Sequence, residues 1–246
     1  EEIYDDEGNY VESVTPHIWG QKIGSDDYPV LGGDKVYLVT NCNNESDYSN
    51  ENINNTHDWS NKDGICANGC GTQCSHEGIS DGECDICKAE FQASVTDKDD
   101  NEIGTYKTFD EAFAVARENE DSTLTLLRSV TLTDYLFANS CRFTLDLNGK
   151  ILLKETDRVL QTGENADITI KDSGEGGTVQ TTAEYATAIV NFGNLTIESG
   201  KIKSDMGVSN YGTLNFIDGE VEVESLAAIY NGEMGVVYIY GGSLAN

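Results

Sequence analysis

The chain has 246 residues, room for one or two domains, and no stretch approaches the roughly eighteen consecutive apolar residues of a membrane-spanning helix. It carries 44 acidic against 15 basic side chains, a net charge of −29, with 22 acidic and 5 basic among residues 1–100 and 22 and 10 beyond them. A field of that sign repels nucleic acid and anionic membrane surfaces, excludes both as expected partners, and suits an exposed extracellular protein kept soluble by its acidity.

Two prolines, 25 glycines and abundant Thr, Asn, Ser and Tyr fit many short strands joined by tight turns. The chain opens at Glu1, Glu2 and Ile3 without a signal peptide, as a mature or trimmed chain would, so export is an expectation from composition.

Residues 1–50 read as a short β segment, with strands expected at 10–14, after the turn at 5–8, and at 35–40, after Gly32 and Gly33. The segment from Trp19 through Tyr37 resembles a linker found in large repeat-containing surface proteins of Gram-positive anaerobes. That resemblance implies a chain cut from something longer.

Residues 51–90 form a second region. Six of the seven cysteines and two of the three histidines fall between residues 42 and 87, in a polar stretch with almost no apolar side chains, and such a segment needs staples. A unit of His, loop, Gly and a Cys pair is written twice, first with His57, Gly64, Cys66 and Cys70, then with His76, Gly82, Cys84 and Cys87. Cys74 precedes the second His by two residues, so Cys74, His76, Cys84 and Cys87 make a full tetrahedral zinc set. In the first unit Asn55 stands where that Cys would be, and the second set drawn from the sequence is Cys42, His57, Cys66 and Cys70. Three disulfides among six cysteines are the alternative in an exported chain, but they give no reason for a His at the same place in both units. Four protein ligands leave no open position for substrate, so zinc here would be structural.

Residues 91–121 read as a hairpin and a capping helix. The hairpin joins 91–95 to 103–107 around an acidic turn whose Asp97, Asp99 and Asn101 alternate like a calcium loop, although Glu102 stands where such a loop needs Gly. Thr108 and Glu111 form a capping box opening a helix that ends near Asn119, with Phe109, Ala112, Phe113 and Ala116 on one face. That face would cover the first coil of the stack that follows.

From residue 122 to 246 the sequence is organised by a repeat of about twenty residues. Ile189, Asn191, Leu195, Ile197, Gly200 and Ile202 recur as Val208, Asn210, Leu214, Phe216, Gly219 and Val221. A third copy, lengthened by two residues, has Ile229, Asn231, Val237, Ile239, Gly242 and Leu244. Alternating apolar positions put one strand face inward, and a Gly followed by another short strand makes the chain turn; that period is the signature of a parallel β-helix. Looser earlier copies lead from Asn139 to Leu145 and Leu147, and from Val159, Gln161 and Gly163 to Ile168 and Ile170. The expected polar ladder is then Asn139, Gln161, Asn191, Asn210 and Asn231, with amides bonded coil to coil at a turn. By alternation Cys141 shares the inward face of Phe143, Leu145 and Leu147, as a buried, inert thiol. The chain ends after Leu244 without a capping segment, so further coils or a covering contact are expected there.

Residues 106–116, 122–133, 143–149 and 195–202 resemble the pectate-lyase-like right-handed β-helix domains of bacterial cell-surface proteins, and the Cys/His units resemble the short zinc-ribbon-like repeats found in such proteins. The resemblance implies an all-β, right-handed parallel β-helix with an N-terminal capping helix, in a secreted or wall-attached adhesin-type protein. It implies no fixed activity. Pectate-lyase-like enzymes set acidic calcium ligands beside a Lys or Arg base, whereas here no Lys or Arg follows Lys203 and no His follows His76. The carboxylates Asp146, Glu198, Asp218, Glu220, Glu222 and Glu224 are abundant without forming a readable constellation. The expectation is a non-catalytic, carbohydrate- or host-contacting surface module, with Tyr238 and Tyr240 as candidate sugar-stacking residues; the alternative is a polysaccharide-processing lyase or glycoside hydrolase.

Overall fold

The computed structural model of the chain describes residues 2–4, 10–13, 19–22, 24–33, 36–39, 47–49, 59–65, 73–76 and 78–245. Two compact units divide it, one of residues 1–78 with 85–89, the other of residues 79–84 with 90–246. In the first unit the described strands pair as short antiparallel ribbons: Glu2–Tyr4 with Tyr10–Ser13, Trp19–Gly20 with Val30–Leu31, and Tyr37–Val39 with Asp47–Ser49.

The second unit is a parallel β-helix of five complete coils and two strands of a sixth, built from three sheets. The first sheet stacks Ser122–Leu126, Arg142–Asp146, Asp167–Lys171, Asn194–Ile197, Thr213–Phe216 and Val236–Ile239 in parallel register. Each coil then contributes one strand to the second sheet, from Val130–Thr131 to Ser243–Ala245. The first five coils each add one to the third, from Leu136–Ala138 to Ile229–Asn231.

Alternation dictates the core. One inward column of the first sheet reads Leu124, Leu145, Ile170, Ile197, Phe216 and Ile239. The second sheet supplies Val130, Leu152, Val179, Ile202, Val221 and Leu244, and the third supplies Leu136, Leu160, Ile189, Val208 and Ile229. The inner coils therefore bury their apolar rows against the rows above and below, which no single coil could do alone, while Ile239 and Leu244 of the last, partial coil stay exposed. Phe143 and Leu145, not Leu145 and Leu147, occupy the columns of Leu195 and Ile197.

The first coil is closed by a different construction. Ala93–Thr96 lies antiparallel to Ser122–Leu126 and forms a hairpin with Glu102–Tyr106, so the sheet edge is paired rather than bare. Asp97 turns that hairpin by accepting the N–H groups of Asp99 and Asn101, each at 2.9 Å. Helix α1, Phe109–Glu118, begins with the expected capping box at Thr108 and Glu111 and is C-capped at Asn119. Its buried face is the predicted one: Phe109, Ala112, Phe113 and Ala116. Phe113 meets Phe143 edge-on at 5.9 Å, and Ser122 donates to the Ala116 carbonyl, tying the helix to the first two coils.

The polar ladder is real but shifted. Asn191, Asn210 and Asn231 stand in register, and each side-chain amide donates to the next side-chain oxygen, at 2.7 and 2.8 Å. Asn191 and Asn210 have no exposure. Below Asn191 the column is filled by Thr162, whose hydroxyl donates to the Asn191 side chain at 2.6 Å, and then by Ala138. Gln161 and Asn139 are therefore not rungs: Gln161 lies beside Val190, one residue out of phase and on the opposite strand face, and Asn139 follows the column residue Ala138.

Candidate metal centre and outer face

The second Cys/His unit closes locally. Asp81 and Gly82 both have positive φ, 47° and 72°, the two-residue turn that joins Ile79–Ser80 to Glu83–Cys84. This hairpin delivers Cys84, and Cys87 follows after two intervening residues. His76 itself sits in the left-handed region at φ 55°, and its N–H points at the Cys74 sulfur at 3.4 Å. A side chain at Gly64, the Gly of the first unit, would run into the His76 imidazole, so that Gly serves close approach as well as turning.

The result is a cluster in which the ligand atoms of Cys74, His76, Cys84 and Cys87 all lie within 4.8 Å of one another. Cys84 and Cys87 are fully buried, while Cys74 and His76 are half-buried. His76 Nδ1 lies 3.3 Å from the Cys87 sulfur. Three sulfurs and one imidazole nitrogen at such spacing form a soft donor set able to hold a metal ion, with all four positions supplied by protein. Cys42, His57, Cys66 and Cys70, the other expected set, lie outside the described residues.

Cys141 is buried, as alternation predicts. Burial pushes its thiol pKa up, with the nearby Arg117 opposing the shift, so it is held as an unreactive thiol.

On the outer faces, several of the carboxylates noted in the sequence have structural employment. Asp146 is buried and accepts the N–H groups of Asn148 and Ser173, fastening one corner of two successive coils. Asp172, which the sequence did not single out, accepts from Gly149 at 2.6 Å and from Gly177 at 2.7 Å in the same corner. Asp218 caps the N–H of Gly219. Glu222 binds both Lys201 and Lys203, the latter at 2.7 Å, and Glu220 also reaches Lys201. Hydrogen bonds from Lys201 and then Lys203 pull the Glu222 pKa down to about 2, and the same contact with Glu222 raises that of Lys201.

Tyr238 and Tyr240 are exposed, as expected; Tyr238 continues an outward row of Thr123, Thr144, Thr169, Thr196 and Asn215. A second aromatic row escaped the sequence reading. Phe192 and Tyr211 stack at 5.1 Å with planes 13° apart, and Tyr230 meets Tyr211 at 6.1 Å. The signal was present, since Phe192 and Tyr211 each directly follow a ladder Asn.

Among the described residues no helix is long and apolar enough to cross a membrane. Compared with known proteins, the chain matches no family model, no curated protein and no solved structure.

Proposed function

We propose that this chain is a non-catalytic, extracellular surface module, in which a β-helix displays its outer face to a glycan or a surface protein and a structural zinc ion staples the Cys/His unit. One observation carries the display reading: the inward columns stay apolar from coil to coil, while the outward rows of the second and third sheets change chemistry, as in Leu153, Gln180, Lys203 and Glu222 or Gln161, Val190, Ser209 and Tyr230, even though the first sheet keeps Thr on its outward row through four coils. Asp146, Asp218, Glu220 and Glu222 are engaged with backbone amides or lysines, which favours binding over acid–base chemistry at those positions. The acidic surface and the resemblance of residues 106–116, 122–133, 143–149 and 195–202 to β-helix domains of bacterial cell-surface proteins support an exported, cell-surface location.

Zinc is favoured for the cluster because three Cys and one His fill a tetrahedral zinc shell, and because clustered thiolates need a cation. Such an ion would fix the hairpin and loop without taking part in a reaction. Elemental analysis of the purified chain before and after the double substitution Cys84→Ser and Cys87→Ser tests this: the variant should lose one zinc equivalent. Equal zinc in the two proteins would overturn the assignment. The display reading is tested with a polysaccharide panel, where turnover of any member into shorter or unsaturated products would refute it, and by protease shaving of intact source cells, which should release peptides of this chain.

A further inference from the structure

The outward side of the third sheet carries a cleft of about 400 Å³ that the sequence reading did not foresee. Such a volume falls within the roughly 300–1,000 Å³ typical of small-molecule sites. Its floor includes Val190 and Ser209, neighbours in register on successive coils. Tyr185, in the loop before Thr187–Asn191, borders it on one side, and Phe192 and Tyr211 border it at the turn beyond.

Three features make this more than an exposed apolar patch. Near-parallel rings at 5.1 Å are too far apart for full overlap, because carbon atoms in contact lie about 3.5–4.0 Å apart; Phe192 and Tyr211 are offset, and each leaves part of a face open. Ser209 is only 6% exposed, yet its hydroxyl meets a thioether, Met206 Sδ at 3.1 Å, and another hydroxyl, Thr187 Oγ1 at 3.3 Å. Sulfur is a weak acceptor, so the buried Ser209 and the half-buried Thr187 retain hydrogen-bonding capacity for a ligand. Tyr185, finally, is 76% exposed and held at φ 57°. A bulky residue in the left-handed region is strained relative to its ordinary conformations, and burial of the ring offers nothing in return.

The polar end is pre-set. Arg158 lies over the Tyr135 ring at 5.2 Å, donates to Gln161 at 2.6 Å and pairs with Asp157 at 3.2 Å. The Arg158 backbone N–H, and then its side chain, keep the Asp157 carboxyl below its usual pKa range, so both members are charged at neutral pH and cancel. A flat aromatic wall, a hydroxyl floor and a neutralised ion pair offering donors and acceptors suit a ring with apolar faces and a rim of hydroxyls. The chain's net charge of −29 disfavours a polyanionic ligand.

We infer that the cleft bounded by Tyr185, Phe192 and Tyr211 is a binding subsite for neutral pyranose units of an extended glycan. The inference rests on the display reading above and names its partner class.

Titration calorimetry of the full chain with neutral gluco-, manno- and chito-hexasaccharides, and with an oligogalacturonate, tests it. At least one neutral sugar should bind, and Tyr211→Ala and Tyr185→Gly should each weaken that binding roughly three- to tenfold. Tyr185→Gly should also leave the melting temperature unchanged or raised, because Gly relieves the strained backbone; a residue kept for structure would move both properties downward. Tyr240→Ala, outside the cleft, should leave affinity unchanged. The inference is overturned if no sugar binds at millimolar concentration, if the oligogalacturonate binds best, or if binding follows Tyr240 and not Tyr211. Failure of binding would leave the display reading standing, whereas turnover of a sugar held in the Tyr211 cleft would end the non-catalytic reading and keep the subsite.

Discussion

The Cys/His unit at 74–87 and the β-helix from 122 onward solve the same problem with opposite means. The first has few apolar side chains and gathers four donor atoms within 4.8 Å of one another, so the ion proposed above would make its order depend on a handful of specific residues. In the second, many ordinary Leu, Ile, Val and Thr residues share the task in columns. Stability concentrated in a ligand set is fragile to one substitution or one chelator. Stability distributed over a stack degrades gradually.

The largest effect that could break this contrast is metal removal. Structural zinc sites in small domains have apparent binding free energies of roughly 10–16 kcal/mol near neutral pH. Chelation, or Cys84→Ser, should therefore abolish hydrogen-exchange protection across residues 74–90 while the amides of 122–245 keep theirs. Loss of protection in both would show that the two regions share one source of order. Next in size, Leu195→Ala removes a fully buried side chain from an inward column and should lower stability by about 2–5 kcal/mol in denaturant melts, without loss of the β-sheet signal at low denaturant. Asn191→Ala should cost less, about 2–3 kcal/mol, by stranding the partners at Thr162, Asn210 and Gly193 in a dry turn.

The smallest effect is electrostatic. The folded-state pKa of Glu222 is depressed from 4.5 to about 2, so its stabilising contact with Lys201 and Lys203 is fully present above the unfolded value and is lost as pH falls from about 4.5 to about 2. Glu222→Gln should flatten the melting-temperature profile in that window by a small amount, and added salt should shrink the difference further, because the group stays in contact with water. A profile unchanged by the substitution would remove this pair from the account of the stack.

Much of the architecture was legible because burial imposes a period. Asn191, Asn210 and Asn231 repeat at almost equal intervals, and the capping box at Thr108 and Glu111 is a local rule that needs no tertiary knowledge. Reading failed where loops interrupt the period. The long connection between Gln161 and Asn191 hides the register, and a slip of one residue exchanges inside for outside, which is how Gln161 stood in for Thr162. Cys74, His76, Cys84 and Cys87 were legible since all four ligands lie close in sequence. The cleft was not, because Arg158, Tyr185, Phe192 and Tyr211 belong to three successive coils and meet only once those coils are stacked.

The antiparallel strand Ala93–Thr96 and helix α1 lie at one side of the stack alone, and every joint from Ser122 onward repeats one parallel geometry. A duplicated segment of about twenty residues, spliced between two coils, would meet matching partners on both flanks without any change to the cap. Each such duplication would lengthen the rod by about 4.8 Å, the spacing of neighbouring strands. Height is thus a heritable dial, adjustable in small equal steps, and the length of the β-helix can be tuned without redesigning anything that folds it.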